Sequence, residues 1–137
     1  MSTSSTRAGR VNGMPGSGPS FTQQSANALL PELRTILLAL RDAYALAAGQ
    51  GEATRTLAKG NGGTPQAQQW ADAERTVASS IRWIQERGIL LKDLERGLVD
   101  FPSVRDGRPV LLCWQMDEPA VSHWHEVSAG FAGRQPL

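Results

Sequence analysis

Residues 88–127 read GILLKDLERGLVDFPSVRDGRPVLLCWQMDEPAVSHWHEV, and the fold class turns on this stretch. Its apolar residues fall in short runs rich in Leu, Val, Phe and Trp, separated by turn residues. The runs place strands at 89–93, 97–101, 109–116 and 120–127. Between the second and third, the connection 102–108 carries Asp106-Gly107. Both residues tolerate positive φ, so the pair predicts a hairpin.

Upstream the period is helical. Ala26, Leu29, Leu30, Leu33, Ile36, Leu37, Leu40, Tyr44 and Ala47 step by three and four, which marks one face of a helix over about 22–48. Thr22 is suited to cap it, with Phe21 as the preceding apolar residue, and Pro31 inside the pattern removes a hydrogen bond and predicts a kink. A second helix, 65–87, starts at Thr64-Pro65 and stops at Gly88, a natural left-handed terminator; its stripe is Trp70, Ala73, Val77, Ile81 and Ile84. Helices followed by strands give an α+β fold, a long antiparallel helical hairpin packed on a small antiparallel β-sheet.

The chain has 137 residues, enough for one domain over 21–137. Residues 1–20 are mostly Ser, Thr, Gly, Pro and Arg with Val11 as the only β-branched aliphatic, which predicts a disordered tail. The Gly-rich run 49–64 predicts a flexible loop. Fourteen basic residues against thirteen acidic ones leave a formal charge of +1, which disfavours nucleic acid as a partner. The four Trp residues lack an interleaved basic groove, so they read as core rather than as base-stacking platforms. No apolar run approaches the roughly 20 residues of a membrane-spanning helix, and Cys113 is the only cysteine, so a cytoplasmic location is expected.

Four segments carry a resemblance: FTQQSANALLPEL at 21–33, GILLKDLERGLVDFP at 88–102, LCW at 112–114 and WHEVSAGFAGRQPL at 124–137. In this order they resemble the small prokaryotic family known as domain of unknown function 2203, over nearly all of the chain after residue 20. The resemblance supports the fold and its boundaries and implies no activity. It also implies an acidic residue where this chain has Ser25, which removes the reciprocal carboxylate of a capping box and leaves Thr22 as the sole cap.

Chemically capable residues crowd the C-terminal part. Strand alternation over 120–127 puts His123 and His125 on one face, where two imidazoles can share a metal ion such as zinc. Asp100, Glu118 and Cys113 are candidate third ligands. Cys113 lies in an apolar run, so burial should raise its thiol pKa; paired with His123 or His125 it could instead be a nucleophile with its base. The segment GFAGR at 130–134 combines two glycines with Arg134, able to capture an anion, or to pin a C-terminal turn by pairing with Asp100 or Glu126. It lacks the Gly-Lys-Ser/Thr ending of a phosphate-binding loop.

Two functional readings result. The leading one is a non-enzymatic binding or interaction module that uses the helical hairpin for self-association or a protein partner. Trp83, off the main stripe of its helix, hints at a second apolar surface to cover. The alternative is a small metal-binding protein or enzyme whose site gathers Asp100, Cys113, Glu118, His123, His125, Glu126 and Arg134 at one end of the sheet.

Overall fold

The computed structural model describes residues 20–49 and 64–137. Apart from residues 20, 49 and 64, the segments read as a tail (1–20) and as a loop (49–64) lie outside them. Two helices, α1 (Gln23–Gly49) and α2 (Pro65–Glu86), precede five strands: β1 (Leu90–Asp93), β2 (Leu98–Arg105), β3 (Arg108–Trp114), β4 (His123–Glu126) and β5 (Gln135–Pro136). The strands lie in chain order in one antiparallel sheet, so the fold is α+β. Among the described residues no helix is long and apolar enough to cross a membrane.

Helix ends follow the capping chemistry. The Thr22 hydroxyl accepts the Ser25 N–H at 3.0 Å, and the Ser25 hydroxyl accepts the Thr22 N–H at 2.9 Å. A hydroxyl thus does the reciprocal work for which a carboxylate was missing, and Thr22 is not the sole cap. At α2 the Thr64 hydroxyl accepts the Ala67 N–H at 3.0 Å. Beyond α2, Gly88 takes φ 78°. Its N–H reaches the Gln85 carbonyl at 3.0 Å and the Ile89 N–H reaches the Ile84 carbonyl at 3.2 Å, the paired bonds of a Schellman stop.

The described chain divides into two compact units, Glu32–Trp83 and the residues on either side of it. The helix α1 continues across Pro31, the residue at which the division falls. In the helical unit the buried stripe is Leu33, Leu37, Leu40 and Ala43 on α1, with Trp70, Ala73 and Ser80 on α2. Periodicity places Tyr44 and Ile81 on these stripes. Both are exposed, and their smaller neighbours Ala43 and Ser80 are buried instead. A 3.6-residue repeat lets either of two adjacent positions continue a face, and here the inner positions hold small side chains.

In the sheet unit the strand ends differ from the sequence pattern for specific reasons. β2 runs through Pro102 to Arg105, beyond the expected end at 101. The Pro102 carbonyl accepts the Phe21 N–H at 2.7 Å, so the backbone polar groups of this residue face away from β3. β1 pairs only with residues 98–100, and the missing proline N–H therefore costs no ladder bond. Asp106 (φ 52°) and Gly107 (φ 76°) then close a two-residue hairpin between paired Arg105 and Arg108. β3 stops at Trp114 rather than 116, where the Gln115 N–H turns to the Glu118 carboxylate at 3.0 Å. β4 is only His123–Glu126, since the Val121 N–H is taken by the Asn27 side chain of α1 at 2.7 Å.

The alternation of the central strands sorts two faces. Val99, Phe101, Val110, Leu112, Trp114 and Trp124 form the apolar one, where Phe21 meets Phe101 edge-on at 5.1 Å. Asp100, Leu111, Cys113, His123 and His125 lie on the other.

Candidate functional site

Register builds the site. Asp100 on β2 is directly opposite Cys113 on β3, and Cys113 is opposite His123 on β4. His125, two residues on, pairs with Leu111 and leans back across β3. Its Nε2 lies 3.2 and 3.1 Å from the two carboxylate oxygens of Asp100, and its Nδ1 lies 2.7 Å from the backbone carbonyl of Glu126. Asp100 and His125 are each 2% exposed and Cys113 is 1% exposed. One carboxylate oxygen, one sulfur and one imidazole nitrogen lie within 4.8 Å of one another, so these three residues could hold a metal ion.

The remaining candidates sit beside this cluster. Arg134 makes a two-pronged ion pair with Glu118, 3.1 and 2.7 Å, and its Nη1 is 3.8 Å from the Cys113 sulfur. The guanidinium also lies 4.5 Å over the Phe131 ring, whose other cation neighbour is Arg96 at 4.3 Å. GFAGR forms a short 3₁₀ turn, Phe131–Gly133, entered through Gly130 at φ 72°. The partner of Arg134 is thus Glu118, and not Asp100 or Glu126. Glu126 is instead held by Arg108 at 2.8 and 3.1 Å. His123 is half-buried, with its Nδ1 3.1 Å from the Ser122 hydroxyl, outside the cluster of three.

Electrostatics follow from burial and from Arg134. Burial pushes the Cys113 thiol up to about 11, with the hydrogen bond from Arg134 opposing it and the Asp100 carboxylate reinforcing it. For Glu118 burial opposes ionisation, yet the hydrogen bonds from Arg134 and the Gln115 N–H together with nearby positive charge win, and its carboxyl titrates below the ordinary value. Arg134 is held protonated still more firmly by its bond to Glu118. Both nitrogens of His125 are engaged, by Asp100 and by a carbonyl, so neither is free to take a proton from the thiol. A thiol raised by burial and an imidazole engaged at both nitrogens weigh against Cys113 and His125 as a nucleophile with its base.

The family model described as an uncharacterized conserved protein, DUF2203, matches residues 20–137. The chain belongs to the DUF2203 family. The DUF2203 match covers both helices and the whole sheet, including every residue of the polar cluster. No curated protein and no solved structure matches the chain.

Proposed function

We propose that this DUF2203 protein is a non-enzymatic binding protein whose binding site is the polar face of its sheet. The observation that carries the reading is the burial of Asp100, Cys113 and His125 together. An apolar trio of similar volume would avoid the desolvation cost that an acid and an imidazole incur there. Such a trio is accounted for by what it holds. Native mass spectrometry of the purified chain tests this. The wild type is expected to retain a ligand mass that His125→Asn loses; a ligand-free wild type, or equal retention by both, would refute it.

Self-association through the helical hairpin is a second reading. It is favoured by Tyr44, 53% exposed beside a cavity of about 270 Å³ that is otherwise lined by Ala47, Ala48, Glu74 and Val77. Light scattering is expected to give a dimer for the wild type and a monomer for Tyr44→Asp, and a monomeric wild type removes the reading. A reducing cytoplasm is the compartment that fits a functional reduced Cys113, and residues 21–137 are taken as one domain.

A further inference from the structure

We propose that the ligand of the sheet's polar face is a zinc-class divalent ion, bound by Asp100, Cys113 and His125. The inference rests on the binding reading above and names its ligand.

The hydrogen bonds of His125 are the starting point. A backbone carbonyl only accepts, so the Nδ1 that lies 2.7 Å from the Glu126 carbonyl carries a proton. With Nδ1 protonated, Nε2 and the Asp100 carboxylate share one further proton across 3.1–3.2 Å. Without that proton, a nitrogen lone pair and a carboxylate oxygen face each other in a site closed to water, an arrangement only a cation can stabilise. The Cys113 sulfur completes the group from the strand between them. An ion entering here displaces the shared proton and the thiol proton. Two charges arrive and two protons leave, and the ion, one carboxylate, one thiolate and one neutral imidazole sum to zero.

The donor set narrows the metal. Calcium and magnesium take oxygen ligands, whereas a mixture of sulfur, nitrogen and oxygen suits zinc. The groups around the donors are those a metal site uses to fix its ligands. The Nδ1–H bond to the Glu126 carbonyl sets the tautomer that presents Nε2, and the Arg134 guanidinium, 3.8 Å from the sulfur, is placed to donate to a thiolate. His123 shares the face but stands outside the donor group, with its ring at the Ser122 hydroxyl.

The test uses the full chain, stripped with a chelator and titrated with Zn²⁺ against a chromophoric competitor, then with Co²⁺ as a spectroscopic stand-in. One ion per chain is expected, with protons released on binding and a sulfur-to-cobalt charge-transfer band. Asp100→Asn and His125→Asn should each weaken Zn²⁺ by more than about 100-fold, beyond the usual loss from an outer partner. Cys113→Ser should abolish the charge-transfer band, and His123→Ala should stay within about threefold of wild type. Circular dichroism checks each fold. If His125→Asn does not fold, Cys113→Ser and the cobalt band decide. Absence of stoichiometric Zn²⁺ binding overturns the proposal, as does a loss with His123→Ala equal to that with Asp100→Asn. Should native mass spectrometry then show a retained non-metal ligand, the binding reading survives without zinc; a chain that retains nothing loses both.

Discussion

The helical unit and the sheet unit bury very different things. Along the stripe of Leu33, Leu37, Leu40, Ala43, Trp70 and Ala73 the helical unit buries carbon almost throughout, whereas one face of the sheet buries an acid, a thiol and an imidazole. Apolar burial is non-directional, and a neighbouring position can take over a contact, as Ala43 does for Tyr44. Polar burial is directional. Asp100 and His125 satisfy each other only because β2 and β4 flank β3 in one register, and a slip of one residue in either strand would turn its side chain to the opposite face. The difference suggests that the hairpin is a tolerant scaffold and the sheet face the part that must be built to geometry.

The largest expected effect breaks the scaffold. Leu37 is fully buried and its neighbour Leu38 is 46% exposed. Leu37→Asp should abolish the cooperative unfolding transition, because an unpaired buried charge costs several kcal/mol, while Leu38→Asp should stay within about 0.5 kcal/mol. Equal effects in urea melts would remove the stripe.

On the sheet, His125→Leu should cost about 3 kcal/mol by leaving Asp100 buried without its partner. The double variant Asp100→Leu/His125→Leu should cost less than His125→Leu alone, since both desolvation penalties disappear. Simple additivity in the double-mutant cycle would show that the two side chains are not a unit.

A smaller effect sharpens the contrast through pH. Against the opposing effect of burial, the Arg134 guanidinium holds the Glu118 carboxyl below the ordinary carboxylate value in the folded protein. A carboxyl lowered by folding contributes stability that is present above the unfolded value and is lost as pH falls through the folded one. Melting temperatures from pH 7 to pH 3 should therefore drop more steeply for wild type than for Glu118→Gln. Near neutrality the variant should be less stable by about 1 kcal/mol. Parallel curves would mean that the Arg134 clasp contributes nothing.

The smallest effect returns to the helices. Among the described residues the Trp70 indole N–H is the buried side-chain polar atom without a hydrogen-bond partner. Trp70→Phe should remove that deficit at the expense of some packing, leaving stability within about 1 kcal/mol of wild type. A loss of several kcal/mol in a thermal melt would show that the indole N–H is bonded after all.

Sequence pattern carried the two helices, their caps and the Asp106-Gly107 hairpin, because each is written in residues close together along the chain. It carried strand ends poorly, since these depend on distant partners: Asn27 takes the Val121 N–H, and Phe21 meets the carbonyl of Pro102. β5 has two residues, with no period to read. At the site, alternation puts His123 and His125 on one face, but only the fold separates them, one imidazole toward Asp100 and the other toward Ser122. For Arg134 the sequence offered Asp100 or Glu126 as partners and missed Glu118, which lies in a turn with no pattern to read. The turn after β3 brings Glu118 to the guanidinium, and Arg108 occupies Glu126.

The most direct measurement is anomalous scattering at the zinc edge from crystals of the chelator-stripped chain reloaded with one equivalent of Zn²⁺. A metal-holding sheet face predicts a single strong peak within about 2.0–2.3 Å of Asp100 oxygen, Cys113 Sγ and His125 Nε2. A well-ordered site with no peak there, or with zinc only on surface side chains, would contradict it and leave Asp100 and His125 as a buried hydrogen-bonded pair.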